Sequence, residues 1–313
     1  MNEKIKVIAL FGPTASGKTK LSIELAKHYG GEIISADSMQ VYKKMEIGTA
    51  KPTKDEMQGV VHHLVDFLEP TERFNVAWYS ELAKEKIFEI HSRGKIPIIA
   101  GGTGLYIRSV LENVEFTDND VDIELRESLQ KKAEELGAQG IYDELCKIDP
   151  QYASTFHYNN VKRTLRALEL YYSSGITMTK QYEISKRNET PFEACKLALA
   201  YKDRQILYDR INLRVDLMLE AGLLSEAKEV INGDFRNTAV QAIGYKELMP
   251  YFEDKITLEE AVENIKMESR RYAKRQLTWI RREENLEYLY ADELGSFEKV
   301  FEKAKETIDE FLK

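Results

Sequence analysis

Cysteine is nearly absent from this 313-residue chain: only Cys146 and Cys195 occur, far apart in sequence. Two isolated thiols exclude a disulfide framework, a CxxC pair and a cysteine zinc site, so both are expected to be buried apolar fillers. Long hydrophobic runs are also missing. No apolar stretch approaches the ~20 residues needed to cross a bilayer, and Val7–Phe11 is too short for the apolar region of a signal peptide. No membrane partner is expected, and the cytoplasm is the expected compartment. There is no internal repeat, no low-complexity segment and no heptad, and a monomer is the expected state. Excess positive charge is lacking too. The 45 Lys and Arg face 53 Asp and Glu, a formal net charge of −8, so a nucleic-acid partner depends on how the cations cluster rather than on their total. With 43% hydrophobic and 31% charged residues, the chain has ordinary globular composition, enough for one α/β core and an attached subdomain.

The most informative segment is Gly12-Pro13-Thr14-Ala15-Ser16-Gly17-Lys18-Thr19, entered directly from the apolar run Val7–Phe11. The spacing Gly-x4-Gly-Lys-Thr after a strand is that of a P-loop. Backbone N–H groups curl around phosphate oxygens, Lys18 reaches the outer phosphate, and the Thr19 hydroxyl faces Mg²⁺. The loop shows that the ligand is phosphorylated, not whether it is a nucleotide.

Runs at Ile5–Phe11, Glu32–Ala36, Lys95–Ala100 and Lys196–Tyr201 have the β-branched or apolar character of buried parallel strands, and helical patterns at Lys18–Tyr29 and Asn75–Ser92 alternate with them. This is the βαβ pattern. The expected fold is a P-loop NTPase-like parallel sheet flanked by helices. The third and fourth strands are too far apart for a simple crossover. A mainly helical insertion is therefore expected over residues 116–191, between core segments 1–115 and 192–313. Its first helix is expected over Asp122–Gly137, with further helical patterns at Ile141–Cys146 and Val161–Tyr172. Beyond Tyr201 the chain reads as helical nearly to its end.

In an open parallel sheet, ligands lie beyond the carboxyl ends of the strands. Asp37 follows the second strand there, where it suits a general base or an outer-sphere metal holder, although a loop-capping carboxylate has the same signature. Gly101-Gly102-Thr103-Gly104 follows the third strand and offers close backbone approach and one hydroxyl. Arg210 and Arg214 stand four apart on the helix after the fourth strand, placed to reach over phosphates, with Arg214 as the preferred clamp. Two basic clusters offset the acidic total. One comprises Lys162, Arg163 and Arg166; the larger comprises Arg270, Arg271, Lys274, Arg275, Arg281 and Arg282, beside Tyr272 and Trp279. Such runs serve either as solvated faces or as RNA contacts, with the aromatics stacking on bases or filling core. His62-His63 has no partner at metal spacing, so a structural role is expected.

Taken together these segments resemble the bacterial-type tRNA dimethylallyltransferases, also called isopentenyl-tRNA transferases, over nearly the whole chain. The resemblance rests on residues 12–19, Asp-Ser-Met-Gln-Val-Tyr at 37–42, Ile-Gly-Thr-Ala-Lys-Pro at 47–52 and His-His-Leu at 62–64. It continues through Gly-Gly-Thr-Gly-Leu-Tyr at 101–106, Arg-Ala-Leu-Glu at 166–169, Ala-Ile-Gly-Tyr-Lys-Glu at 242–247 and Ala-Lys-Arg-Gln-Leu-Thr-Trp at 273–279. Asn159-Asn160-Val161 stands where the family more often has Asn-Pro or Asn-Asp-Pro. The resemblance implies transfer of a dimethylallyl group from dimethylallyl diphosphate to the exocyclic amine of the adenosine 3′ to the tRNA anticodon. It implies Asp37 as general base, Thr103 at the flipped adenine, Lys18 and Arg214 on the diphosphate, and Thr19 on Mg²⁺. It also implies tRNA contacts at Asp37, Ser38, Met39, Gln40, Thr103, Arg126 and Lys162, Arg163, Thr164, Leu165 and Arg166, to which the late helix adds Arg271, Lys274 and Arg275. The alternatives are a small-molecule P-loop kinase using ATP and an RNA-binding module using nucleotide as a switch. Against the kinase, the third strand ends in Gly-Gly-Thr-Gly rather than an Asp metal motif.

Overall fold

Val7 to Phe11 have no more than 1% of their surface exposed, as a strand covered on both faces requires. They form the middle of β1 (Ile5–Phe11) in a computed structural model that describes residues 3–114, 116, 123–187, 189–233 and 239–313. The chain continues through α1 (Lys18–Tyr29), β2 (Glu32–Ala36), α2 (Lys54–Met57), β3 (His62–His63), α3 (Val76–Ser92), β4 (Pro97–Gly101) and α4 (Gly104–Leu111). Next come α5 (Ile123–Ile148), α6 (Pro150–Ala153), α7 (Val161–Ser174) and α8 (Met178–Arg187). The chain returns through β5 (Phe192–Ala200), α9 (Arg204–Glu220), α10 (Leu223–Asn232), α11 (Met249–Phe252), α12 (Leu258–Ile280), β6 (Leu286–Tyr290), α13 (Ala291–Leu294) and α14 (Phe297–Leu312).

The six strands order as β3-β2-β4-β1-β5-β6, with every pairing parallel. One face packs Tyr79, Ile87, Ile107, Val230 and Ile265 against the sheet, and the other packs Leu21, Leu25, Val300 and Ile308. The chain divides into two compact units, residues 1–111 with 191–313, and residues 112–190. The second is helical, with Leu129, Ile141, Leu145, Tyr152 and Leu168 at its centre. Gly137 (φ 69°, ψ 173°) kinks α5. Asp122, where the sequence pattern starts this helix, lies outside the described residues; the helix runs from Ile123.

Several boundaries differ from expectation. The fourth expected strand starts at Phe192, not Lys196, because Phe192–Ala198 pairs along the whole of β1. Leu286–Tyr290, expected to be helical, is an edge strand paired with Lys196–Ala200. Cys195 is buried as expected, but Cys146 is only half-buried. Among the described residues no helix is long and apolar enough to cross a membrane.

Candidate active site

Strand register builds the site. Phe11 pairs with Gly101, and Gly101 pairs with Ala36, so the P-loop, the Asp37 segment and the Gly-rich turn emerge side by side at the carboxyl edge. The approach is tight: a Cβ on Gly101 would lie 2.2 Å from the Ala36 carbonyl oxygen. The Thr103 N–H donates to that oxygen at 3.1 Å, holding the turn beside Asp37.

Gly17, at φ 99°, is the N-cap of α1 and turns the loop into the helix without the strain a side chain would bring. Lys18 folds back so that its Nζ donates to the Pro13 carbonyl at 3.1 Å. Burial pulls the Lys18 pKa down from the ordinary 10.5 to about 8; the Asp37 charge opposes this and Arg214 reinforces it. Two arginines from α9 brace the loop. Arg210 Nε donates to the Ala15 carbonyl at 2.9 Å, and Arg214 Nη1 donates to Thr14 Oγ1 at 3.4 Å. Burial disfavours the Arg214 charge, which Asp37 and then Glu56 favour. Thr19 is exposed at the start of α1, whereas Ser16 is buried with its hydroxyl lacking a partner among the described residues.

Asp37 caps its loop and also lines a cavity. Its Oδ1 accepts the Met39 N–H at 2.9 Å and the Gln40 N–H at 3.4 Å, a loop cap. The same carboxylate lines a cavity of about 70 Å³ together with Thr14, Lys18, Thr19 and Arg214, which leaves Oδ2 for a substrate. Tyr272 lines it as well, with its hydroxyl pushed up to about 12 by burial and then by the Asp37 charge, so it is a neutral donor. Thr103 Oγ1 is buried and lies beside the Tyr272 hydroxyl, whose pKa it helps to hold down.

The two histidines divide. His63 is structural as expected: its Nε2 meets Glu32 Oε2 at 2.7 Å in a network with Arg93 and Lys95. His62 instead forms cavity wall. Its Nδ1 faces the Val60 carbonyl at 2.9 Å, which assigns the proton there and leaves the buried Nε2 as an acceptor with no partner among the described residues. A second cavity of about 1090 Å³ shares Lys18, Thr19, Pro52, His62 and Arg214 with the first. It is bordered by Leu213 and Leu217, 59% and 53% exposed. Lys18 of the P-loop, Arg214 and the Asp37 carboxylate around one cavity, with Arg210 bracing the loop from outside it, suit the transfer of a group away from a diphosphate.

Residues 40–283 match the IPP transferase family model, and residues 5–68 match the isopentenyl transferase model. A tRNA dimethylallyltransferase of Bacillus anthracis is 51% identical over 280 residues, which cover 89% of this chain and 88% of that protein. The chain belongs to the tRNA dimethylallyltransferase family. It is thus a transferase of the prenyl-transferring, tRNA-modifying kind. Two solved structures of this family align over nearly the full length of both chains. The tRNA isopentenylpyrophosphate transferase of Bacillus halodurans shares 42% identity at TM-score 0.71, covering 99% of this chain and 100% of that one. The Staphylococcus epidermidis enzyme shares 40% at TM-score 0.72, covering 98% and 100%. A eukaryotic dimethylallyltransferase acting on tRNA shares 34% identity at TM-score 0.74, covering 88% of this chain and 70% of that one.

The residues that family resemblance marks for tRNA are not equally available. Within residues 112–190, Lys162 and Arg166 are exposed on α7. Arg126 and Arg166 both pair with Glu169, at 2.6 and 3.0 Å. The Arg163 guanidinium lies over the rings of Tyr152 and Phe156, 5.0 and 4.7 Å from their centroids. Thr164 is a correction: at 0% exposure it donates inward to the Asn160 carbonyl, so its side chain has no face for RNA. Leu165 is half-buried against the core of its unit. The Gln40 amide donates to the Thr49 and Ala50 carbonyls, bracing its own loop. On α12, Lys274 and Arg275 are exposed, and so is Arg271, paired with Glu268 at 2.6 Å. Arg270 is drawn inward to Asn212 Oδ1 at 2.6 Å. Sequence reasoning missed the inward-facing Gln276 and gave Tyr272 no place in the site; only the Ala273–Trp279 motif, which holds Gln276 and begins one residue after Tyr272, marked that helix.

Proposed function

We propose that this chain transfers the dimethylallyl group of dimethylallyl diphosphate to N6 of the adenosine immediately 3′ of the tRNA anticodon. The observation that carries the reading is one cavity joining Lys18 of the P-loop and Arg214 of α9 to the Asp37 carboxylate. The N6 lone pair attacks the allylic C1, the C1–O bond breaks with its electrons going to the diphosphate, and Asp37 Oδ2 takes the N6 proton. Lys18 and Arg214 stabilise charge on the departing diphosphate, held by loop residues 12–19. Thr103 meets the adenine, which must leave the anticodon-loop stack at a cost of a few kcal/mol.

Among the described residues no group of three His, Cys, Asp or Glu side chains could hold a metal ion. An exposed Thr19 hydroxyl beside a phosphate site instead suits Mg²⁺, which prefers a few protein oxygens plus substrate phosphates. Thr19 would hold that ion, and when bound it would neutralise charge on the diphosphate. Ser38, Met39, Gln40, Arg126, Lys162, Arg163 and Arg166 serve tRNA recognition, joined by Arg271, Lys274 and Arg275. The large cavity past Leu213 and Leu217 is the donor's route. With tRNA as substrate the enzyme works in the cytoplasm, as a monomer.

The test is incubation with unmodified tRNA, Mg²⁺ and either dimethylallyl diphosphate or ATP, followed by nucleoside mass analysis. A five-carbon gain on adenosine only with the allylic donor is expected. No gain, with ATP consumed on a small acceptor, would establish a kinase instead.

A further inference from the structure

α12 presents charge outward, yet one polar side chain enters the core from its inner face. Gln276 is 4% exposed. Its Oε1 accepts the Thr14 backbone N–H at 2.9 Å, and its Nε2 donates to the Gly102 carbonyl at 3.1 Å. The two partners have opposite character, so a primary amide of this length satisfies both while a carboxylate or a thioether does not. The Gly-rich turn is shaped to admit it: a Cβ on Gly102 would lie 2.0 Å from Nε2.

The Thr14 N–H belongs to the same rigid peptide plane as the Pro13 carbonyl. That peptide is trans, so the two groups point in opposite directions and orienting one orients the other. The Pro13 carbonyl is the group on which the Lys18 ammonium rests, and it also accepts the Ser16 N–H at 3.3 Å. Arg214 holds the Thr14 hydroxyl from α9, so side chain and backbone of this residue are gripped from two helices.

We infer that Gln276 is a positioning residue of the donor site: through the Pro13–Thr14 peptide it sets where the Lys18 ammonium waits for the diphosphate. The Thr14 N–H is correspondingly withdrawn from the anion. This rests on the reading that the P-loop binds the diphosphate of the donor, and it assigns to Gln276 a role that neither the basic stripe of α12 nor the loop motif contains.

The experiment measures inorganic diphosphate binding by calorimetry for the wild type, Lys18→Ala, Gln276→Met, Gln276→Glu, Gly102→Ala and the Lys18→Ala/Gln276→Met pair, with thermal melts alongside. Gln276→Met is expected to weaken binding about tenfold, the scale of one buried hydrogen bond lost. Gln276→Glu and Gly102→Ala should weaken it in the same direction, and they carry the test if the methionine variant does not fold. Because Gln276 acts through Lys18, the double variant should bind no worse than Lys18→Ala alone. An affinity within twofold of wild type in the Gln276 and Gly102 variants, with Lys18→Ala weakened, overturns the inference even if the melts shift. Additive losses in the double variant overturn the route through Lys18. An unchanged affinity in Lys18→Ala overturns the donor-site reading itself.

Discussion

Replacing Asp37 by Asn separates two jobs that one carboxylate performs. The Oδ1 atom caps the loop through the Met39 and Gln40 N–H groups, and an amide oxygen accepts both bonds as well as a carboxylate oxygen does. The loop therefore keeps its shape, and what disappears is the negative charge and the capacity to take a proton. A positioned base contributes ~10²–10⁴ in rate, or about 3–5 kcal/mol of barrier. Removing a negative charge beside Lys18 and Arg214 also removes a repulsion against the incoming diphosphate, so KM for dimethylallyl diphosphate should not rise. In Asp37→Ala the cap is lost too, adding about 1 kcal/mol of destabilisation. Steady-state and single-turnover prenylation, read as modified nucleoside by mass, should show kcat down at least ~10² in both variants. Only the alanine variant should melt earlier. A kcat for Asp37→Asn within tenfold of wild type would refute the base assignment, and if Asp37→Ala alone were slow, the carboxylate would matter only as a loop cap.

Three further outcomes follow from the geometry. Because burial pulls the Lys18 pKa down to about 8, affinity for dimethylallyl diphosphate should be level below that pH and fall by up to about tenfold per unit above it; a flat titration to high pH would contradict this. Arg271→Ala with Arg275→Ala should weaken tRNA binding and reduce the slope of log K against log salt by about 1–2, whereas Arg270→Ala, tied to Asn212, should act on stability rather than on the salt slope. Thr164→Val should leave tRNA affinity unchanged and cost about 1 kcal/mol of stability through the lost bond to Asn160, while Lys162→Ala should weaken tRNA binding without that cost; filter binding and thermal melts decide both.

What could be read from sequence was what burial writes directly into residue type. Ile5–Phe11 and Glu32–Ala36 are covered on both faces, so their apolar runs end where the strands end, and the P-loop and Asp37 follow at once. The lower half of β5 was hidden because Glu193 is exposed and Lys196 is half-buried, which breaks the apolar run where the strand is least covered. β6, at the sheet edge, has one fully buried residue, Leu289, and its five residues follow a basic helix whose pattern they do not visibly interrupt. His62 looked structural because no metal partner stood at the right spacing; its contribution to the cavity depends on the two-residue strand β3 pairing with β2. Gln276 was illegible for a different reason. A glutamine among lysines and arginines reads as another solvated side chain, and only the packing of α12 against α4 and α9 turns that position inward. Thr164 differs in the opposite sense: family position groups residues 162–166 as one contact, but a helix sends consecutive residues to different faces, and the Thr164 side chain is buried.

The site is sterically preformed, and its cations are buried at an electrostatic cost. Gly17 already holds the left-handed turn, Gly102 already admits the Gln276 amide, and two arginines already brace Thr14 and Ala15. The charges are not balanced in the same way. Burial disfavours the cationic form of both Lys18 and Arg214, and Asp37 is the carboxylate that favours the charge on each. For Lys18 the linkage has a definite sign. Its native pKa of about 8 lies below the ordinary 10.5, so between those values the unfolded chain binds more protons and the contribution of this group to stability rises with pH; below about 8 the full cost of burying the ammonium remains. A diphosphate supplies the missing negative charge, lifts the Lys18 pKa back up and removes that cost. Binding of the donor should therefore stabilise the fold, by about 2.7 kcal/mol in all at a hundredfold excess over Kd. Inorganic diphosphate should reproduce most of the effect, because Lys18 and Arg214 answer to charge rather than to shape.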